Sequence, residues 1–179
     1  MQSSTTRIPV ESGSVDVLVA FDVLEHVSQP LPILKEIHRV LKTDGRAVIG
    51  TIGWRMPMAP HLWSVMPVPW AHVLWSEKTL LKVCRRVYHS AWYVPNMHDM
   101  DALGNRKPDK FVGHEISRDY LNHFLVSDFE RTFKIAGFRC STDIITLKSK
   151  FLGWLKPLRW LPWVREFIGG SVWFVLKKR

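Results

Sequence analysis

The stretch that decides the fold is residues 15–51, which read VDVLVAFDVLEHVSQPLPILKEIHRVLKTDGRAVIGT. Its first part, Val15–Phe21, is a short and almost continuous apolar run rich in β-branched residues, the pattern of a strand covered on both faces. Apolar side chains then recur at helical spacing over residues 30–41. A second apolar run at residues 47–51 completes strand, helix and strand, which predicts one crossover unit of a parallel sheet in an α/β fold.

Local signals mark the ends of this helix and predict further elements outward from it. Ser28 is a candidate N-cap and Gly45 a candidate stop. Regular patterns then return in four places, which predict helices near 76–88 and 127–136 and strands near 140–147 and 171–176.

The segment between these patterns differs in composition. Residues 54–125 are rich in Trp, Pro, Met and His. Apart from the helix near 76–88, they sustain neither the helical nor the strand periodicity of apolar residues. We therefore expect a core part at 1–53, a cap or insertion at 54–125, and a closing core part at 126–179.

The composition bounds the class of protein. With 179 residues and 46% apolar content, the chain is long enough for a real hydrophobic core. The net charge of +9 favours anionic partners without choosing among membrane, nucleic acid and phosphorylated substrate. Cys84 and Cys140 lack metal-ligand spacing, and the HDMD run at 98–101 lacks a third well-spaced ligand, so no metal site is expected.

Targeting signals are weak. Residues 1–7 lack the layout of a secretory signal, which favours a cytoplasmic protein. Residues 56–76 carry no charged side chain over a bilayer-spanning length, but four prolines argue against a spanning helix.

Five short motifs follow one another in this part of the chain: Ile8-Pro9, SVDVL at 14–18, DVLEHV at 22–27, the helix through Leu41, and DGR at 44–46. Together they resemble the type 11 methyltransferases, a class I S-adenosylmethionine-dependent family that includes ubiquinone and menaquinone pathway enzymes. The resemblance starts just before the family's fourth strand and runs through its fifth. It implies a Rossmann-like sheet with an antiparallel terminal strand, a cap insertion, and S-adenosylmethionine as the cofactor.

The resemblance also implies site residues. In similar enzymes the residues after the fourth strand line the methionine end of the cofactor, which corresponds to Phe21, Asp22, Val23 and His26 here. The alternatives are a helix-dipole role for Asp22 and Glu25 and a packed, hydrogen-bonded histidine beneath the sheet edge for His26.

The sequence departs from the family at its start. It shows no GxGxG turn, and Ser4, followed by Thr5, occupies the position where relatives carry an adenine-contacting aspartate. We therefore expect the amino-terminal half of the fold to be missing. Three explanations stay open: a gene fragment, a split enzyme completed by a partner chain, and a degenerate relative kept for binding.

Methyl transfer needs an aligned nucleophile more than strong acid or base chemistry, so no catalytic triad is expected. If the acceptor is a hydroxyl or an activated carbon, a general base helps. His114 is the weak candidate, with His61 and His98 as alternatives, because histidine titrates near neutral pH.

Residues 151–168, FLGWLKPLRWLPWVREFI, mix tryptophans with basic residues. Such a segment suits a peripheral membrane contact or a cap helix over an active site. We expect a small apolar acceptor, of lipid or isoprenoid type. The rival functions are a non-catalytic, methyltransferase-like partner subunit and an RNA-binding protein, the latter disfavoured because the tryptophans lie within apolar runs.

Overall fold

The computed structural model describes residues 7–96, 99–146, 158 and 161–179. The elements in chain order are β1 (Val15–Phe21), a 3-10 turn (Leu24–His26), α1 (Pro30–Val40), β2 (Leu41–Thr51), α2 (Ala71–Leu74), α3 (Glu77–Tyr88), α4 (Val126–Ile135), β3 (Phe138–Thr146), α5 (Arg165–Ile168) and β4 (Gly169–Lys178).

The four strands form one sheet in the order β1-β2-β4-β3. Strands β1 and β2 are parallel, whereas β4 is antiparallel to both β2 and β3. The predicted α/β architecture, with parallel strands and an antiparallel terminal strand, is confirmed.

The chain divides into two compact units. The first comprises Met1–Met56 and Arg118–Arg179, and the second is Pro57–Ser117. The sheet, α1 and α4 belong to the first unit, and α2 and α3 belong to the second. The structure thus places the second unit inside the range 54–125 that the sequence suggested for a cap.

The core of the first unit lies on one face of the sheet. Leu34 on α1 and Phe129 and Phe133 on α4 are fully buried there. The ring of Phe133 packs edge-on against Phe174 of β4, with 4.9 Å between centroids. Burial of each such side chain stabilises the fold by roughly 1.5–3 kcal/mol, so this layer fixes how the helices sit on the sheet.

The prediction that β1 is covered on both faces is wrong. Val17 and Val19 are 60% and 54% exposed, and β1 is an edge strand. An apolar run indicates that side chains on both faces of the strand are suited to burial. Among the described residues, however, helices cover only one face of the sheet.

The boundaries around α1 also differ from the predicted ones. Gln29, not Ser28, is the N-cap, and Pro30 opens the helix, where its missing N–H costs nothing. The helix ends at Val40 and β2 begins at Leu41, so Gly45 lies inside the strand. A Cβ on Gly45 would lie 2.8 Å from the Val15 carbonyl oxygen, which explains the glycine by close approach rather than by helix termination.

The helices predicted near 76–88 and 127–136 correspond to α3 and α4. Ser76 caps α3 by accepting from the Thr79 N–H at 3.3 Å. Gly137, with φ at +94°, follows α4.

The second unit contains an ordered turn at residues 101–105. One Asp101 carboxylate oxygen accepts from the N–H groups of Leu103 and Asn105 at 2.9 and 2.8 Å. Arg106 lies over the ring of the buried Tyr88, 3.9 Å from its centroid.

We find no helix in the described ranges with the length and apolar character needed to cross a bilayer.

Candidate functional site

The candidate site is the turn of residues 22–27, here called the post-β1 turn, at the carboxyl end of β1. Asp22 adopts a left-handed backbone with φ at +50°, a conformation that Asp tolerates better than most residues. Its N–H donates to the Gly50 carbonyl oxygen at 3.0 Å, one step beyond the β1–β2 ladder. The chain therefore turns sharply at Asp22 and leaves the Asp22 and Val23 side chains exposed.

Phe21 closes the strand beside this turn. Its ring packs against Trp173 of β4 with 4.7 Å between centroids. A Cβ on Gly50 would lie 2.8 Å from Phe21 Cδ1, so the glycine between the two aromatic residues leaves the space that the Phe21 ring fills. Phe21 is still 46% exposed, so part of its ring borders the turn as an open apolar surface.

Glu25 lies beneath the turn and is only 3% exposed. Its Oε2 accepts a 2.5 Å hydrogen bond from Thr51 at the end of β2. Burial raises the pKa of the Glu25 carboxyl, and the Thr51 hydrogen bond opposes the rise in part. Its other oxygen, Oε1, is buried without a hydrogen-bond partner among the described residues.

Asn122 fastens the turn from a distant part of the chain. Its side-chain amide donates to the carbonyl oxygens of Leu24 and Val27 at 2.8 and 2.9 Å. Its backbone N–H donates to the Glu25 carbonyl oxygen at 2.8 Å. Three carbonyls that an α-helix would satisfy internally are thus held by one residue, which makes the turn a rigid feature.

His26 is exposed, but one ring nitrogen is engaged. Nδ1 lies 2.7 Å from the Tyr120 carbonyl oxygen, and the His26 and Tyr120 rings are 5.3 Å apart between centroids. The hydrogen bond agrees with the hydrogen-bonded role considered for His26, and the cofactor-lining role stays a prediction.

The structure brings together four of the predicted site residues, Phe21, Asp22, Val23 and His26. Ser4 and Thr5 lie outside the described residues. His114 is exposed in a loop of the second unit, and His61 belongs to that unit too, whereas His98 lies outside the described residues.

Sequence reasoning missed Glu25 and Asn122 as site residues. Glu25 had been considered only as a charge near a helix N-terminus. Its one local signal is its position between Leu24 and Val27, where a turn after an apolar strand draws apolar neighbours inward. Asn122 carries no local signal, because its partners lie 95 to 98 residues earlier in the chain.

Comparison with known proteins places this geometry in context. The family described as "Methyltransferase domain" matches residues 1–49. An uncharacterized methyltransferase of Mycolicibacterium gilvum is 36% identical over 61 residues, which are 34% of this chain and 24% of that protein. A similar protein of Mycobacteroides abscessus is 31% identical over 61 residues, with the same coverage.

A solved structure of a SAM-dependent methyltransferase from Thermotoga maritima superposes with a TM-score of 0.52 at 14% identity. The superposition covers 100% of this chain and 63% of that one. This likeness shows the fold, and the predicted partial class I, Rossmann-like architecture is confirmed. The chain spans about a quarter of the length of the curated relatives it matches.

Proposed function

We propose that this chain, whose residues 1–49 match the model of a methyltransferase domain, acts in S-adenosylmethionine-dependent methyl transfer and forms one wall of the cofactor site with its post-β1 turn. The observation that carries the proposal is this turn, which lies within the segment that matches the family model. Buried hydrogen bonds from Thr51 and Asn122 hold it, and the Asp22 and Val23 side chains are exposed. In open α/β sheets, ligands bind outside the carboxyl ends of the strands, where this turn lies.

The exposed groups of the turn fit the methionine end of the cofactor. The Asp22 carboxylate offers a charged acceptor to an ammonium group. Val23 and the open part of the Phe21 ring offer apolar surface beside it. His26, anchored through Nδ1, would border the same end of the site.

S-Adenosylmethionine supplies the electrophilic methyl group of the reaction. The contribution of this chain is positioning, because methyl transfer depends on an aligned attack more than on proton transfer. Asn122 and the Thr51–Glu25 hydrogen bond hold the turn that presents Asp22. Glu25 is buried, so we assign it to holding the turn and not to exchange of protons with an acceptor.

For the acceptor we propose a small apolar molecule of lipid or isoprenoid type. The support is the tryptophan-rich composition of residues 151–168 together with the positive net charge. A cytoplasmic protein with a peripheral membrane contact is consistent with the same features. His114 stays the proposed general base if the acceptor needs one.

The test is a ¹H–¹⁵N NMR titration of the chain with S-adenosylmethionine. We expect saturable shifts of the amides at residues 21–26, and at least roughly tenfold weaker binding in Asp22→Asn, about the loss of one charge-assisted contact. The matched control is Asp16→Asn, at the other end of β1, where the carboxylate pairs with Lys42 at 2.9 Å. Unaltered affinity in Asp22→Asn would remove Asp22 from the site.

The second candidate function is a non-catalytic, methyltransferase-like subunit. The exposed apolar face of β1 favours it, because such a face suits binding to another polypeptide. Absence of any shift with S-adenosylmethionine, combined with retained folding, would favour this candidate over the enzyme.

A further inference from the structure

Three consecutive apolar side chains are exposed where α2 ends in the second unit. Val73 and Leu74 are the last two residues of this helix and Trp75 follows it, with exposed fractions of 48%, 64% and 48%. Ala71, the first residue of α2, is buried and holds the helix on the unit. Single exposed apolar residues are common, but a consecutive group is typical of a binding surface. We call Val73, Leu74 and Trp75 the apolar triplet.

A stripe of cations follows on α3. Lys78, Lys82 and Arg86 are four residues apart, a spacing that places them on one side of the helix, and all three are exposed. The other side of α3 carries buried residues, among them Leu81 and Cys84, and packs into the unit. We call the three cations the basic stripe.

The basic stripe is not neutralised within the part of the chain that the structure describes. None of the ion pairs found there includes its three side chains, and like charges four residues apart on a helix repel each other. The acidic groups on and beside α3 are engaged elsewhere. Glu77 accepts from the Ile116 N–H at 2.6 Å, and Asp109 pairs with Arg85 at 2.9 Å. An anionic surface would therefore relieve the repulsion along the stripe.

The two features border each other. Trp75 and Lys78 are three residues apart, so their Cα atoms are separated by at most about 11 Å. The stripe itself extends along roughly 12 Å of helix. Apolar side chains with a tryptophan, next to lysine and arginine, are the combination found where proteins lie at the surface of a bilayer.

We propose that the apolar triplet and the basic stripe bind the surface of an anionic phospholipid membrane. The triplet enters the boundary between headgroups and acyl chains, and the stripe lies over the lipid phosphates. This inference rests on the proposed function, whose peripheral membrane contact it assigns to named residues. A chain held there would meet a lipid-type acceptor in the plane of the membrane.

Other occupants fit these residues less well. Nucleic acid has the phosphates that the stripe requires, but Val73 and Leu74 offer no ring on which a base could stack. A second copy of this chain would bring another net charge of +9 to a cationic surface. Peptides usually bind in grooves or along strand edges, whereas the triplet lies at the exposed end of a four-residue helix.

The experiment measures sedimentation of the full chain with vesicles of equal parts phosphatidylcholine and phosphatidylglycerol, without S-adenosylmethionine. We expect retention that falls with added salt and is lost on vesicles of phosphatidylcholine alone. Lys78→Gln combined with Lys82→Gln should weaken partitioning at least roughly tenfold, because each cation near an anionic surface contributes roughly fivefold. Leu74→Ser should weaken it roughly tenfold, because its burial among the lipids is lost.

The matched controls lie in the same unit. Arg85→Gln removes a cation of α3 that is already paired with Asp109, so partitioning should change less than roughly twofold. Leu103→Ser removes a leucine that is 86% exposed in the turn near the other end of α3, where Arg106 lies over Tyr88, and retention should not change. Circular dichroism shows that each variant is folded before its retention is compared.

Three results would overturn the inference: no retention of the folded chain on the anionic vesicles, equal retention in the double lysine variant, or equal retention in Leu74→Ser. Retention that survives both changes would assign the membrane contact to another segment, such as residues 151–168. Binding to single-stranded RNA through the stripe, without retention on vesicles, would assign the stripe to nucleic acid. Failure of S-adenosylmethionine binding leaves the vesicle result untouched, because the vesicle experiment contains none.

Discussion

Thr51 Oγ1 donates a 2.5 Å hydrogen bond to Glu25 Oε2 and so ties the end of β2 to the turn that follows β1. The acceptor is nearly fully buried, and its carboxyl has a raised pKa because burial disfavours the charged form. Beneath the post-β1 turn, the folded state therefore favours the protonated form of the Glu25 carboxyl.

This relationship predicts a pH-dependent stability. Between the ordinary carboxyl pKa and the raised value, the folded state binds more protons than the unfolded state, so stability falls as pH rises through that window. Glu25→Gln removes this dependence, and the variant should gain stability relative to the wild type as pH rises. Urea unfolding followed by tryptophan fluorescence from pH 4 to pH 8 measures it. Glu11→Gln, an exposed position, is the control; a Glu25→Gln difference that is constant with pH would contradict the prediction.

Removal of the Asn122 amide should loosen the post-β1 turn. Asn122→Ala leaves the Val27 carbonyl without this donor and the Leu24 carbonyl with the longer hydrogen bond from the Val27 N–H at 3.3 Å, which costs about 1–3 kcal/mol when such groups stay buried. Urea unfolding gives the loss, and hydrogen exchange should speed up at residues 24–27. Asn105→Ala, exposed in the second unit, should do neither. Unchanged exchange at 24–27 would show that Asn122 does not hold the turn.

Gly45→Ala should destabilise the fold more than Gly50→Ala. At Gly45 the new Cβ meets backbone atoms, the Val15 carbonyl oxygen at 2.8 Å and the Lys42 N and O atoms at 3.0 Å, which cannot rotate away. At Gly50 it meets the Phe21 ring, which is half-exposed and can turn aside. We expect a loss of about 1–3 kcal/mol for Gly45→Ala and less for Gly50→Ala, by thermal or urea unfolding. The reverse order would refute this account.

The start of α4 depends on Glu166. Both of its carboxylate oxygens accept from the helix's first N–H groups, at 2.7 Å from Val126 and 3.0 Å from Ser127. Glu166 is 4% exposed, so Glu166→Ala leaves two donors unpaired and should cost about 1–3 kcal/mol. Circular dichroism melting measures the loss against Glu115→Ala, which is exposed. Equal melting temperatures would mean that water replaces the carboxylate.

Local patterns predicted the elements well where the signal is contained in one segment. The apolar run at Val15–Phe21 coincides with β1, and Ser76 and Gly137 mark the start of α3 and the end of α4. Hydrophobic period and capping act over a few residues, so they can be read without the fold. Phe21, Asp22 and Val23 could likewise be named as site candidates, because they lie at the end of a predicted strand in a motif that resembles the family's.

Long-range relationships carry no such signal. The insertion of β4 between β2 and β3 depends on which strand edges meet, and that choice depends on packing across the whole sheet. The sequence around Asn122 gives no indication that its side-chain amide donates to carbonyl oxygens almost a hundred residues earlier.

The sequence by itself therefore determined the α/β class, the extent of β1 and the position of the turn behind it, because these follow from side-chain period and local backbone preference. Only the tertiary structure decided that Glu25 is buried against Thr51, and that Arg46, Lys177 and Arg139 form one row. Whether a side chain is buried, and which charges lie beside it, depends on how segments that are distant in sequence pack together. Neither property can therefore be read from the local sequence.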